Sequence, residues 1–340
     1  MAALGSRLVT LADVAKAKNK QIGMVAEVLT LSNPMLNDIP FMEMNEGTIH
    51  KEEIRSGLPA VYYRKANEAI PASKSTTEER TFGAAHFESK SQIDSAVAKR
   101  GGVDRISYNR WNQAQGHIQA HANELASLLL YGSTTDATEE TLGFFDVYAQ
   151  TSGSEASKQV LDAGGNTGAA LSSILLTYWG ENSIFGVYPK GTSYGLSRID
   201  RSAGNKEIQI QATDRNGNPG SFWGYEENFM TDSGLVIKDY RQGARICNID
   251  IDALRSKVGA ADLTELMIMA YHKIANRQNG NGVWYMNSTL MAHGHIQARK
   301  EVGAGGGFTY ENYQGKPVLS FMGLPVRLSD SILDSEQEVV

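Results

Sequence analysis

Between residues 107 and 131 the chain keeps to one interval. Tyr108, Trp111, Gln115, Ile118, Ala122, Leu125 and Leu129 step by three or four, a heptad-like seam with one polar member. Ser107 is a good N-cap, and Gly132 stands where a C′ residue stops a helix. The spacing predicts a helix of about 24 residues, a rod near 36 Å at about 1.5 Å per residue. Gly116 within it costs on the order of 1 kcal/mol against alanine, which burial of several large side chains easily offsets.

The remaining pattern is mixed. Thr10 with Asp13 resembles a capping box, and short apolar stripes follow at Leu11, Val14, Ala15 and at Ile22, Val25, Ala26, Leu29. Two such thin helices cannot form a core and must lie on something else. Val61–Lys65 (VYYRK) reads as a strand, with Thr81–Glu88 as its antiparallel return. The almost wholly polar stretch between them is of a length that is uncommon in a compact domain and is usually either functional or disordered, so a floppy surface insertion is the alternative reading. Such a hairpin is marginal alone, so it is expected to gain order by docking on a partner. Asn166 is read as capping a helix through Leu171, Ile174, Leu175, Tyr178 and Trp179, ended by Gly180. Strands are expected at Ser183–Tyr188, Lys206–Ala212, Phe222–Tyr225, Leu235–Ile237, Ala244–Ile249 and Pro317–Leu328. Helices capped by Asp262 and Asn287 complete the pattern, with glycine breaks at 101–102 and 303–307. Helices and strands without regular βα alternation point to an α+β fold.

Composition excludes several classes. The length, 340 residues, suits roughly two domains. Glycine and proline together are 42 residues, too few for a low-complexity chain. A net charge of −6 argues against a nucleic-acid coat, while leaving room for weak local contact. The single cysteine, Cys247, rules out an internal disulfide framework and suits a reducing cytosol. The start lacks a signal-peptide h-region, and no run approaches the ~18 apolar residues that span a bilayer, so no membrane partner is expected.

The search for chemistry returns little. Gly191-Thr-Ser193-Tyr-Gly195 matches the hydrolase elbow, which needs a strand before the serine and a helix after it. Pro189 intervenes, and no helical stripe follows. A glycine-flanked turn is the favoured reading, with a serine hydrolase using Ser193 as an alternative. His117 and His121 share a helix face, but the glutamate of HExxH is missing and no third ligand is identifiable. His293 and His295 are equally unsupported. Asp214, Asn216 and Asn218 open like a calcium loop, yet Pro219 and Tyr225 occupy the positions for the glycine and the bidentate glutamate. No phosphate-binding loop is present, so neither a metal nor a cofactor is expected.

Several stretches, taken in order, carry a resemblance: TLADVAK at 10–16, NPMLNDIPF at 33–41, RSGLPAVYYRKANEAIPASKSTT at 55–77, LLLYG at 128–132, SIFGVYPKGTSYGL at 183–196, GLVIKDYRQGARICNID at 234–250 and GLPVRLSDSIL at 323–333. The chain as a whole resembles the major capsid proteins of tailed bacteriophages, in the group common in short-tailed phages. PFMEMNEGTIHKEE is less rich in glycine and proline than that family would suggest.

The resemblance implies the Hong Kong 97-like capsid fold. Residues 1–45 would be the N-arm and 46–95 the extended E-loop and its base, lying over an adjacent subunit. Residues 96–140 would hold the peripheral domain with its long spine helix, 141–309 the axial domain, and 310–340 the return to the peripheral domain. The implied function is the icosahedral shell around double-stranded DNA, assembled as a procapsid in the bacterial host cytoplasm and matured by expansion. Implied partners are other copies in hexamers and pentamers, a scaffolding protein, a portal protein at one vertex, a decoration protein where one exists, and packaged DNA in weak non-specific contact. Arg64, Lys65, Glu68, Lys74, Glu78, Glu79 and Arg80 become candidates for intersubunit ion pairs. An encapsulin-like nanocompartment of the same fold is the alternative.

Overall fold

The computed structural model describes residues 34–99, 106–133, 141–166, 168–202, 206–213, 218–300, 308–313 and 316–340. The stripes at residues 11–29, both glycine breaks and most of the 214–218 turn lie outside the described residues. The first strands are β1 Phe41–Glu43, β2 Ile49–Gly57, β3 Thr76–Gly83 and β4 Ala85–Asp94. Then come β5 Val160–Asp162, β6 Leu171–Trp179, β7 Ile184–Tyr188, β8 Ser197–Asp200, β9 Ile208–Thr213 and β10 Pro219–Ile237. The last are β11 Gly243–Asp250, β12 Asn281–Met286, β13 Phe308–Tyr313, β14 Lys316–Phe321 and β15 Leu324–Leu328. The longer helices are α1 Ile106–Tyr131, α2 Ile251–Ser256, α3 Leu263–Lys273 and α4 Ser288–Lys300.

One sheet path runs β13–β14–β15–β12–β6–β7–β10–β4, and β2 and β3 form a separate antiparallel pair. Strand β6 is the principal correction to the sequence reading, which expected a helix there. It pairs antiparallel with β11 and with β12, and all nine of its residues are buried. Its alternate residues feed two cores. Leu175 and Trp179 join one cluster, with Phe144, Tyr148, Tyr285 and the C-terminal half of α1. Ile174, Leu176 and Tyr178 join the other, with Leu263 and Met267 of α3 and Leu290 of α4. A strand apolar on both faces has no period of two, so its run is indistinguishable from a buried helix segment by spacing alone.

Two of the expected caps form. The Asp262 carboxylate accepts from the Glu265 amide at 3.1 Å, and the Asn287 side chain from the Leu290 amide at 2.9 Å. Strand β10 is continuous where the sequence suggested two strands. It pairs with β9, β8, β4 and β7 along its length.

Helix α1 spans the expected rod, but its N-terminal half is turned. Tyr108 is 64% exposed and Gln115 is exposed, whereas Ile106, Arg110, Ala114, Ile118 and Ala122 are buried. Ser107 lies inside the helix and is not its cap. The turn has a cause. Arg110 reaches Asp200 of β8 at 2.8 Å and Glu227 of β10 at 2.5 Å, over the Tyr225 ring. Arg198 makes two further bonds to Glu227, at 2.9 and 2.8 Å. Arg110, outside the apolar seam, is thus a buried anchor of the helix.

The C-terminal strap, residues 329–340, is laced over this framework. Glu336 accepts from Arg245 of β11 at 2.9 Å, from Ser173 of β6 at 2.5 Å and from Tyr131 of α1 at 2.6 Å. Arg245 also donates to the Phe145 and Tyr148 carbonyls and stacks 4.1 Å from the Phe145 ring. The Asn248 side chain exchanges two bonds with the Val339 backbone. Beside it, burial pushes the Cys247 thiol up to about 11. Glu336 therefore joins helix, sheet and strap through one buried carboxylate. Glu336→Ala leaves Arg245 buried and uncompensated, at an expected cost of about 3–5 kcal/mol. A urea unfolding midpoint that barely moves would refute this role.

Candidate assembly surface

The β2–β3 hairpin is rooted in the core and bare at its end. Its register pairs Ile49 with Gly83 and Arg55 with Thr77, with an irregularity before Gly57. At the root, Phe82 is buried with Met44, Phe185, Val187 and Val236. The His50 ring meets Phe185 edge-on at 5.6 Å, Glu52 pairs with Lys238 at 2.9 Å, and the Thr141 hydroxyl donates to the Gly83 carbonyl at 3.1 Å. A Cβ on Gly234 would collide with that carbonyl, so the strand and the root touch backbone to backbone. From this root β2 rises about 25–30 Å, at ~3.3 Å per residue.

The tip, residues 58–75, has no regular structure apart from a turn at Lys65–Glu68. The strand expected at Val61–Lys65 is absent. Pro59 and Pro71 flank that stretch, and proline removes the amide that a ladder needs. Asn67 takes φ 69°, a left-handed value that asparagine tolerates, and the Lys65 amide donates to Glu68 Oε2 at 2.8 Å. The Ser73 hydroxyl bridges back to the Ala60 carbonyl at 2.9 Å.

The seven charges expected on the arm are all exposed. Arg64 donates to the Glu68 carbonyl at 3.1 Å, Glu79 lies 3.6 Å from Lys51, and Arg80 lies 3.9 Å from Glu78. Lys74 stands on the tip with them. They do not converge into one cluster, since Arg64, Lys65, Glu68 and Lys74 sit on the tip and Glu78, Glu79 and Arg80 on β3. Sequence reasoning from charge missed the more telling feature. Val61 is 91% exposed and Tyr63 fully so, and Leu58, Tyr62 and Ile70 are exposed beside them. The signal was present in Val61-Tyr62-Tyr63, but its β-branched and aromatic content was read as strand propensity.

The alternative sites dissolve on inspection. Ser193 lies in an exposed turn, followed by β8 and not by a helix, so no nucleophile elbow forms. His117 and His121 share the Ser89 hydroxyl, at 2.9 and 2.8 Å, and His121 also bonds Thr231 at 2.9 Å. Their rings stack on Phe229 and Phe87. They seat α1 on β4 and β10. Among the described residues, no group of three or more metal-ligating side chains could hold an ion, and no helix is long and apolar enough to cross a membrane.

A family model described as Major capsid protein GP7 matches residues 17–340. A chain of bacteriophage Epsilon15 is similar at 27% identity and a TM-score of 0.67, over 100% of this chain and 99% of that one. The bacteriophage JBD30 capsid shares the fold at 10% identity and a TM-score of 0.50, over 87% and 89%. The holo-SrpI encapsulin complex of Synechococcus elongatus PCC 7942 stands at 9% identity and a TM-score of 0.39, over 62% and 85%. No curated protein matches.

Two outcomes follow from this geometry. Phe82→Ala at the root should cost about 3–5 kcal/mol, whereas Tyr63→Ser at the tip should shift the unfolding midpoint by less than about 0.5 kcal/mol. Equal effects would mean the tip is folded onto its own subunit. Burial, with His117 adding to it, pushes His121 down to about 4 from the usual 6.5. The unfolded ring therefore takes up its proton first, and this contribution to stability is complete above about pH 6.5 and lost on the way down to 4. His121→Gln should flatten the pH dependence of stability across that window; an unchanged slope would refute it.

Proposed function

The chain belongs to the GP7 family of major capsid proteins, and from that premise we propose how one copy grips the next. It has the Hong Kong 97-like fold and is the major capsid protein of a tailed bacteriophage, a component of the virion that self-assembles into an icosahedral shell. In our reading the β2–β3 hairpin is the E-loop, α1 the spine helix of the peripheral domain, and residues 1–45 the N-arm. Residues 141–309 form the axial domain, save that part of β10 lies under α1.

The observation that carries this reading is a hairpin with a buried root and an apolar, uncovered end. Side chains such as Val61 and Tyr63 gain about 1.5–3 kcal/mol each when buried. Exposed ion pairs contribute only ~0–1 kcal/mol. Contact with a neighbour is therefore dominated by the apolar groups, and Arg64, Lys65, Glu68, Lys74, Glu78, Glu79 and Arg80 tune approach and register. Each interface is modest, but every copy engages several neighbours, and multivalency makes the closed shell durable while single contacts can still be corrected during growth.

The shell forms first as a procapsid in the host cytoplasm, guided by a scaffolding protein, with a portal protein at one vertex, and then expands around double-stranded DNA. The acidic chain suits that cargo, since a strongly basic wall would trap the duplex. A decoration protein is compatible with this scheme. We assign the chain no catalytic step, and no observation favours an encapsulin-like cargo shell.

Replacing residues 58–75 by a short glycine-serine turn should leave a folded subunit that fails to close shells. Normal particles from that variant, seen by negative-stain electron microscopy, would sink the proposal.

A further inference from the structure

Asparagine followed by glycine occurs three times in the chain, at Asn216, Asn279 and Asn281. The pair matters because glycine carries no side chain to shield its own amide nitrogen from the carboxamide beside it. Asn216 lies outside the described residues. The other two stand two residues apart, both with exposed side chains, and the fold treats them differently.

Asn281 opens β12 in register with Trp179 of β6, and Gly282 faces Tyr178. A Cβ on Gly282 would come within 2.7 Å of the Tyr178 ring. Ladder and ring hold this peptide extended, and a strand paired to its neighbour opens only at a cost in free energy. Asn279 belongs instead to the turn between α3 and β12. Its amide reaches the Asn276 carbonyl at 3.5 Å, and Asn276 Nδ2 donates to its Oδ1 at 3.0 Å. Asn276 is itself fixed, since its Oδ1 accepts from the Gln278 amide at 3.1 Å. The bond on Asn279 Oδ1 draws electron density from Cγ. Among the described residues the Gly280 amide donates no hydrogen bond. An electrophilic carbon and an uncommitted nitrogen thus share one exposed turn.

We propose that Asn279 is a site of self-modification, at which the turn converts its own carboxamide to a carboxylate with water as the only reagent. The Gly280 nitrogen gives up its proton to solvent and bonds to Cγ. The Cγ–Nδ2 bond breaks, and Nδ2 takes up a proton and leaves as ammonia, so that a five-membered imide remains. Water then adds at one of the two imide carbonyl carbons and breaks that carbon's bond to the Gly280 nitrogen. Opening at Cγ restores the main chain with aspartate. Opening at the Asn279 carbonyl carbon leaves the chain running through the former side chain, one carbon longer. In sum one water enters and one ammonia departs. Either product adds one negative charge to a chain already at −6, two residues from Arg277, which bonds His272 at 3.1 Å. The longer product also presses on the end of β6, where the Asn279 carbonyl lies so close to Gly180 that a Cβ there would meet it at 2.5 Å. This chemistry belongs to the subunit and does not depend on the shell reading.

Peptide mass spectrometry of the folded wild-type chain, aged in mildly alkaline buffer and compared with an unaged sample, tests the site. Trypsin releases residues 278–299 as one peptide. That peptide should gain about one mass unit, with fragment ions placing the change at Asn279. The gain at Asn279 should outpace that at Asn281 at least about tenfold. In urea, where turn and ladder are both lost, the two asparagines should react at similar rates. An Asn279 that keeps its carboxamide in the aged, folded chain overturns the proposal. Equal rates in the folded chain overturn it too, because the fold would then select nothing. Asn279→Gln, which needs a larger ring, should leave the peptide's mass unchanged. The same gain in that variant would place the change elsewhere and refute the site.

Discussion

The subunit is organised by the demand that one long strand satisfy its backbone along both edges. β10 runs nineteen residues, roughly 60 Å at ~3.3 Å per residue. It meets β9 first, then β8 and β4, and finally β7. Its middle supplies Phe229, Glu227 and Thr231 to the seat of α1. Its far end touches the root of the hairpin at Gly234 and Gly83. The helix and the projecting arm are therefore registered to one another through a single stretch of backbone, and a slip of one residue would turn every seat residue to the wrong face.

What was legible in the sequence depended on how far each signal reached. Local signals held: the Asp262 and Asn287 caps and the C-terminal half of the α1 seam, Ile118 to Leu129, lie where spacing placed them. Signals that depend on distant partners did not. Arg110 is inside because Asp200 and Glu227 await it about a hundred residues away, and nothing near Arg110 announces them. β6 was taken for a helix because both of its faces are buried, in separate cores. In the hairpin the polar span was recognised, but its strands lie further from the tip than propensity suggested. Val61 and Tyr63 have strand-like chemistry with no strand to join.

The fold also separates two kinds of charge. Those that build the subunit, Arg110, Glu227, Arg245 and Glu336, are buried and multiply bonded. Those on the arm are solvated and weakly engaged. The first kind is insulated from salt; the second is screened by it. On the proposed contact of the arm with a neighbouring copy, ionic conditions modulate how copies meet without loosening the copy itself.

Cys247 draws out one more consequence. The chain's single thiol is enclosed by its own subunit and held in its protonated, unreactive form. A wall built of this chain therefore offers an oxidant no exposed thiol through which neighbouring tiles could become linked.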